Sequence, residues 1–73
     1  MTIDEFMKNV APYMKKCWLA MDKDGTWCRF SRKPHINMTL YVWDSCDYDR
    51  ISDFFVDIEP VEDWTKSLRR IIR

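Results

Sequence analysis

Four tryptophans, three tyrosines and four phenylalanines stand in a chain of 73 residues that holds one glycine and one histidine. Side chains of this kind do the chemistry of recognition. They offer large apolar faces, a polar handle on the indole or phenol, and a ring quadrupole that attracts cations. Trp18, Trp27, Tyr41 and Trp43, with Arg29, form the candidate interaction surface, because alternation along predicted strands throws them to one side of a sheet. Arg29 can stack on an indole and still reach an acidic or phosphate group. Bases, another protein or a second copy of the chain can pack on such a platform. Tyr48, Phe54 and Phe55 folding back over it would instead make it a second small core.

Other chemistries find less to work with. Asp44, Asp47, Asp49, Asp53 and Asp57 form a secondary acidic surface, but acid-base catalysis needs a site that shifts carboxyl pKa values, and no pattern here locates one. His35 has no neighbour that marks half of a dyad, and Ser31, Ser45, Ser52 and Ser67 lie in no nucleophile motif. One glycine cannot build a phosphate-cradling loop. Asp22-Lys23-Asp24-Gly25 has the opening of a calcium loop without the later oxygen ligands or flanking helices, and reads as a hairpin turn. Cys17, Cys28 and Cys46 show neither CxxC nor metal-ligand spacing, which predicts free, buried thiols. The reading is a non-enzyme with no cofactor and no metal.

The elements that position these residues follow from periodicity. Thr2 and Glu5 have capping-box spacing, and Ile3, Phe6, Met7, Val10 and Met14 recur as on one helix face until Pro12 interrupts them. From Cys17 the pattern alternates, and Gly25 suits the left-handed position of a type I turn with a bulge. Pairing Met21 with Thr26 puts Cys17, Leu19, Met21, Cys28 and Phe30 on one face and Trp18, Trp27 and Arg29 on the other. A third strand is predicted over Met38 to Trp43, a loop over Asp44 to Asp53, and an edge strand over Phe54 to Ile58. A closing helix is predicted from Pro60, with acids near its start and Lys66, Arg69, Arg70 and Arg73 near its end. The expected fold is one α+β domain over residues 1–73, a small antiparallel sheet of three or four strands with N- and C-terminal helices packed on one face. Its expected core is Phe6, Val10, Leu19, Met21, Phe30, Leu40, Val42, Trp64 and Leu68.

So short a chain stands near the lower limit for a self-sufficient core, so a homo-dimer or higher oligomer is an open expectation. No apolar run is long enough to span a bilayer, and the opening Met-Thr-Ile-Asp-Glu carries no basic leader, so no membrane contact and a cytoplasmic location are expected. Net charge is zero but unevenly placed: residues 44–63 hold eight acids against Arg50, and residues 64–73 hold four basic residues and no acid. That balance does not describe a uniformly basic protein, and direct nucleic-acid binding is not expected.

Two stretches, Trp18-Leu19-Ala20-Met21-Asp22-Lys23-Asp24-Gly25-Thr26-Trp27 continuing to Lys33-Pro34, and Ile58-Glu59-Pro60-Val61-Glu62-Asp63-Trp64-Thr65-Lys66-Ser67-Leu68-Arg69-Arg70, resemble short bacteriophage and prophage proteins of uncharacterised function. The resemblance covers about half the chain. It implies a phage-type protein acting in the bacterial host cytosol, and brings no site residues with it. In that setting the expected function is a non-catalytic protein that binds and blocks a host factor, one of antiviral defence, with the acidic stretch able to imitate a nucleic-acid backbone. The alternative is a sponge that sequesters a nucleotide-type ligand on the aromatic sheet face, and a third possibility is a nucleic-acid binder that uses the basic side of the predicted last helix.

Overall fold

Residues 1–45, 47–50 and 57–72 are described in a computed structural model of the chain, Asp49 and Arg50 by their backbone. The first helix, α1 (Ile3–Asn9), starts as its sequence dictates. The Thr2 side chain accepts from Glu5 N at 3.1 Å, and the Glu5 carboxylate accepts in return from Thr2 N. The amide of Thr2, and also its hydroxyl, donate to the Glu5 carboxylate and hold it below its ordinary pKa. At Val10 the helix gives way to a short 3-10 turn, Ala11–Tyr13, with Pro12 in its first turn, where the missing amide costs nothing.

The strands β1 (Cys17–Met21), β2 (Trp27–Phe30), β5 (Tyr48–Arg50) and β6 (Arg69–Ile71) form a four-stranded antiparallel sheet in the order β5-β2-β1-β6. The hairpin β3 (His35–Asn37) and β4 (Val42–Asp44) makes a separate two-stranded sheet. The turn between β1 and β2 is as expected in type: Gly25 has φ +92°, Gly25 N donates to Asp22 O, and Asp22 N donates to Thr26 O. Its register differs from the expected one by a single residue. Asp22 and Thr26 close the ladder, so Met21 faces Trp27, Leu19 faces Arg29 and Trp18 faces Phe30. A slip of one residue moves every side chain of the strand to the other face.

The consequence is a sheet covered on both sides. Leu19, Met21, Trp27, Cys17 and Ile71 pack with Ile3, Phe6, Ala11 and Ile58 on the α1 side. Ala20, Cys28, Phe30 and Trp43 pack together on the other, with Trp18 and Leu68 partly buried against them. Trp64 touches both clusters. Of the expected core, Phe6, Leu19, Met21 and Phe30 are buried and Val10, Val42, Trp64 and Leu68 are half-buried, whereas Leu40 is 66 % exposed.

Two expectations about elements are corrected. Tyr48–Arg50, expected in a loop, is a strand paired with β2. The closing helix is not formed, so no pair of terminal helices covers one face. A 3-10 turn, Trp64–Lys66, leads into β6, which pairs with β1. Here local hydrogen bonding competes with the helix: the Asp63 carboxylate accepts from Thr65 N at 3.0 Å and from Thr65 Oγ1 at 2.6 Å, which lowers its pKa. Pairing with β6 also satisfies the edge of β1, which a helix would leave open. The predicted edge strand from Phe54 lies mostly outside the described residues; Asp57 and Ile58 are irregular.

Ser67 makes the junction. It is fully buried, and stands where the β1–β6 ladder would reach Met21 had the chain not turned away. Its Oγ accepts from Met21 N at 2.8 Å and lies 2.6 Å from Trp64 O, to which the hydroxyl donates. Ser67→Ala should therefore lower the unfolding free energy by about 1–3 kcal/mol, the cost of leaving a buried amide unsatisfied. Urea denaturation checks this, and a change below about 0.5 kcal/mol would show that the C-terminal segment is not docked on β1.

Acid should loosen both ends of the chain. Glu5 and Asp63 have folded-state pKa values below their unfolded ones, so their contributions are present above the ordinary carboxyl range and vanish as the pH falls through the depressed values. Glu5→Gln and Asp63→Asn should each lower the urea midpoint at pH 7, and the gap to the parent protein should close once the pH is taken below about 3.

Candidate interaction surface

The five residues of the expected aromatic face do not share one. Trp27 points to the α1 side, 4 % exposed, with its Nε1 donating to Glu59 O at 3.2 Å. Trp43 is 8 % exposed on the opposite side of the sheet, and its Nε1 donates to Trp64 O at 3.0 Å. Both indoles are core, each with its polar handle satisfied. Arg29 is half-buried and pairs with Leu19 in the row that faces α1; its charge opposes, without cancelling, the burial that raises the Cys17 pKa. Trp18 remains half-buried on the Phe30 side, and Tyr41 is exposed in the β3–β4 turn. The physical reason is the hairpin register together with the separation of β3 and β4 from the main sheet.

Asp44 ends β4 and is exposed, Asp57 is exposed in irregular chain, and Asp47 is exposed with both carboxylate oxygens 2.9 Å from Ser31 Oγ. Asp49 sits opposite Arg29 in the β2–β5 backbone register. Asp53 lies outside the described residues, as do Cys46, Phe54 and Phe55. Among the described residues no group of three or more His, Cys, Asp or Glu side chains could hold a metal ion. None of their helices is long and apolar enough to cross a membrane.

What the fold does present is the β3–β4 turn. Met38, Leu40 and Tyr41 are exposed there, Met38 at 62 % and Leu40 at 66 %, as is Ile36 in the adjoining β3. Alternation places Met38 and Leu40 inward only if the run from Met38 to Trp43 is one strand. In the structure that run is a turn followed by β4. Asn37 supplies the reason: its Oδ1 accepts from Thr39 N and Leu40 N, each at 3.0 Å, an Asx turn that reverses the chain where the strand is expected to begin. Asparagine immediately before the alternating run is the signal that points to it.

The turn is braced against its neighbour. Tyr41 takes a left-handed φ of +57°, rare for an aromatic residue, and its carbonyl accepts from Lys23 N at 3.2 Å. Lys23 Nζ lies 4.2 Å from the centre of the Tyr41 ring. Asp22 Oδ1 accepts from Trp43 N at 2.8 Å, so the β1–β2 turn holds both the tip and the start of β4. Between the two turns runs an open groove of about 400 Å³ lined by Lys23, Asp24, Leu40, Tyr41 and Val42. Comparison with family models, with curated proteins and with solved structures finds no match for this chain.

Cys17 and Cys28 are buried thiols, and burial pushes the Cys17 thiol up from its ordinary pKa. Alkylation with iodoacetamide at about pH 8, mapped by mass spectrometry, should leave both unmodified in the native protein and modify both in urea. Fast native labelling of Cys17 would mean that the α1 side of the sheet is open.

Proposed function

We propose that this protein is a non-catalytic binding protein that covers a surface of a partner protein through its β3–β4 turn. In the phage setting implied by the resemblance, that partner is a host factor of antiviral defence, which the protein blocks in the host cytosol. The observation that carries the reading is the braced apolar tip. A chain this small buries Trp27 and Trp43 completely enough to satisfy their indoles, yet leaves Ile36, Met38, Leu40 and Tyr41 in water. Apolar side chains grouped on a rigid projection mark interfaces, and a turn already held in shape loses little entropy when it docks. The partner it fits offers an apolar pocket for Leu40 and Met38, with room beside it for the Lys23–Tyr41 pair.

The test is capture from host lysate, followed by titration of the recovered protein. Leu40→Ser should weaken binding at least about ten-fold, the scale of an interface hot spot, with thermal stability unchanged because Leu40 packs in neither core cluster. Tyr41→Asn removes the ring while keeping a residue that accepts the left-handed backbone, and should act in the same direction. Undiminished binding by both variants would exclude the tip as the binding surface.

A further inference from the structure

At the end of the sheet opposite the braced turns, the fold gathers charge that the sequence leaves scattered. Trp18 stands between Phe30 of β2 and Arg70 of β6 in the strand register. Arg70 lies over its ring with the guanidinium carbon 5.3 Å from the centroid, and Lys33 Nζ lies 5.7 Å from the same centroid. Lys15 and Lys16 enter β1 immediately before Cys17, and Arg32 and Lys33 leave β2 immediately after Ser31. All five cations are exposed. Among the described residues neither Lys33 nor Arg70 has a carboxylate partner; the indole is the group that positions each. Two acids, Asp47 and Asp49, flank Tyr48, the residue opposite Phe30 in the β2–β5 register, and the Ser31 hydroxyl lies against both Asp47 oxygens.

We infer that this end of the sheet, with Trp18 at its centre and Lys33 and Arg70 beside it, is a binding site for single-stranded nucleic acid. The Arg70 guanidinium over the half-buried indole gives a base a cation–aromatic stack to extend, and Arg70 and Lys33 offer the adjoining phosphates two positioned charges. Lys15, Lys16 and Arg32, exposed and adjoining these ends of β1 and β2 along the chain, add charge beyond what one nucleotide needs, which is why a strand fits better than a mononucleotide. An acidic peptide would use the charges but not the ring. Whole-chain neutrality argues against a uniformly basic binder, yet it does not govern one end of a sheet on which cations have been sorted.

Fluorescence anisotropy with end-labelled single-stranded RNA and DNA of about ten nucleotides, within the length range one small domain covers, tests the proposal on the intact chain. Binding should appear at low salt and weaken steeply as salt is raised, because each neutralised phosphate releases counterions. The exposed pair Lys33→Ala and Arg70→Ala should together reduce affinity about ten-fold or more and flatten the logarithmic salt slope by roughly 0.7 for each phosphate no longer neutralised. Trp18→Ala should reduce affinity at fixed salt by about five-fold or more through weaker stacking, and Leu40→Ser should leave it unchanged. Binding of RNA alone would assign a role to the 2′-hydroxyl, and equal binding of DNA would assign recognition to base and phosphodiester; either supports the site. Absence of binding at low salt, binding indifferent to the Lys33 and Arg70 changes, or equally tight binding of polyaspartate would overturn it.

Discussion

The register of β1 against β2 is the constraint on which the other assignments depend, and Gly25 sets it. With φ at +92° the glycine completes the tight connection between Asp22 and Thr26. A side chain there would meet Pro60 Cγ at 3.5 Å, an ordinary contact, so it is the backbone conformation and not space that calls for glycine. From that closing pair outward, Trp27 is committed to the α1 side and Cys28 and Phe30 to the Trp43 side. Because apolar residues cover both faces, a slip of one position would place Arg29 where Phe30 is buried and expose the strand on both sides at once.

Central placement of β1 then dictates what the C-terminal segment must be. β1 has β2 on one side, and without β6 its other edge would present unpaired backbone groups beside an apolar cluster. Arg69–Ile71 supplies the ladder, and Ser67 continues it with a side-chain oxygen where the chain bends toward the Trp64 turn. The same bend delivers Trp64 to both clusters and its carbonyl to the Trp43 indole. One short segment thus closes an edge, links the two faces and fixes the second hairpin.

Local features were legible in the sequence, and non-local ones were not. The Thr2–Glu5 capping box, the break at Pro12, the hairpin at Gly25 and the burial of Cys17 and Cys28 each follow from interactions within a few residues or from a simple polarity rule. A C-terminal helix is a reasonable reading of Val61, Trp64 and Leu68 at helical spacing with basic residues after them. It fails because propensity yields to an unsatisfied strand edge. The aromatic face fails for a related reason, since its membership depends on a register that composition does not encode. Of its five residues Tyr41 is exposed and Trp18 and Arg29 are half-buried, each on a separate element. Met38 and Leu40 are misplaced inward because alternation is the same signal whether a run is a strand or a turn leading into one.

Separation of the apolar tip from both clusters has a thermodynamic meaning. In a chain of this size nearly every buried apolar group contributes to a small net stability, so large apolar side chains left in water are contributions withheld from folding. Ile36, Met38, Leu40 and Tyr41 belong to neither cluster, yet the turn that carries them is tied down by Asn37, Lys23 and Asp22. Ordering a segment whose side chains join neither cluster costs conformational entropy with little return from the core. The hydrogen bonds of Asn37, Lys23 and Asp22 offset part of that cost and covering the tip would offset more, which is the physical ground for proposing it as a surface for association.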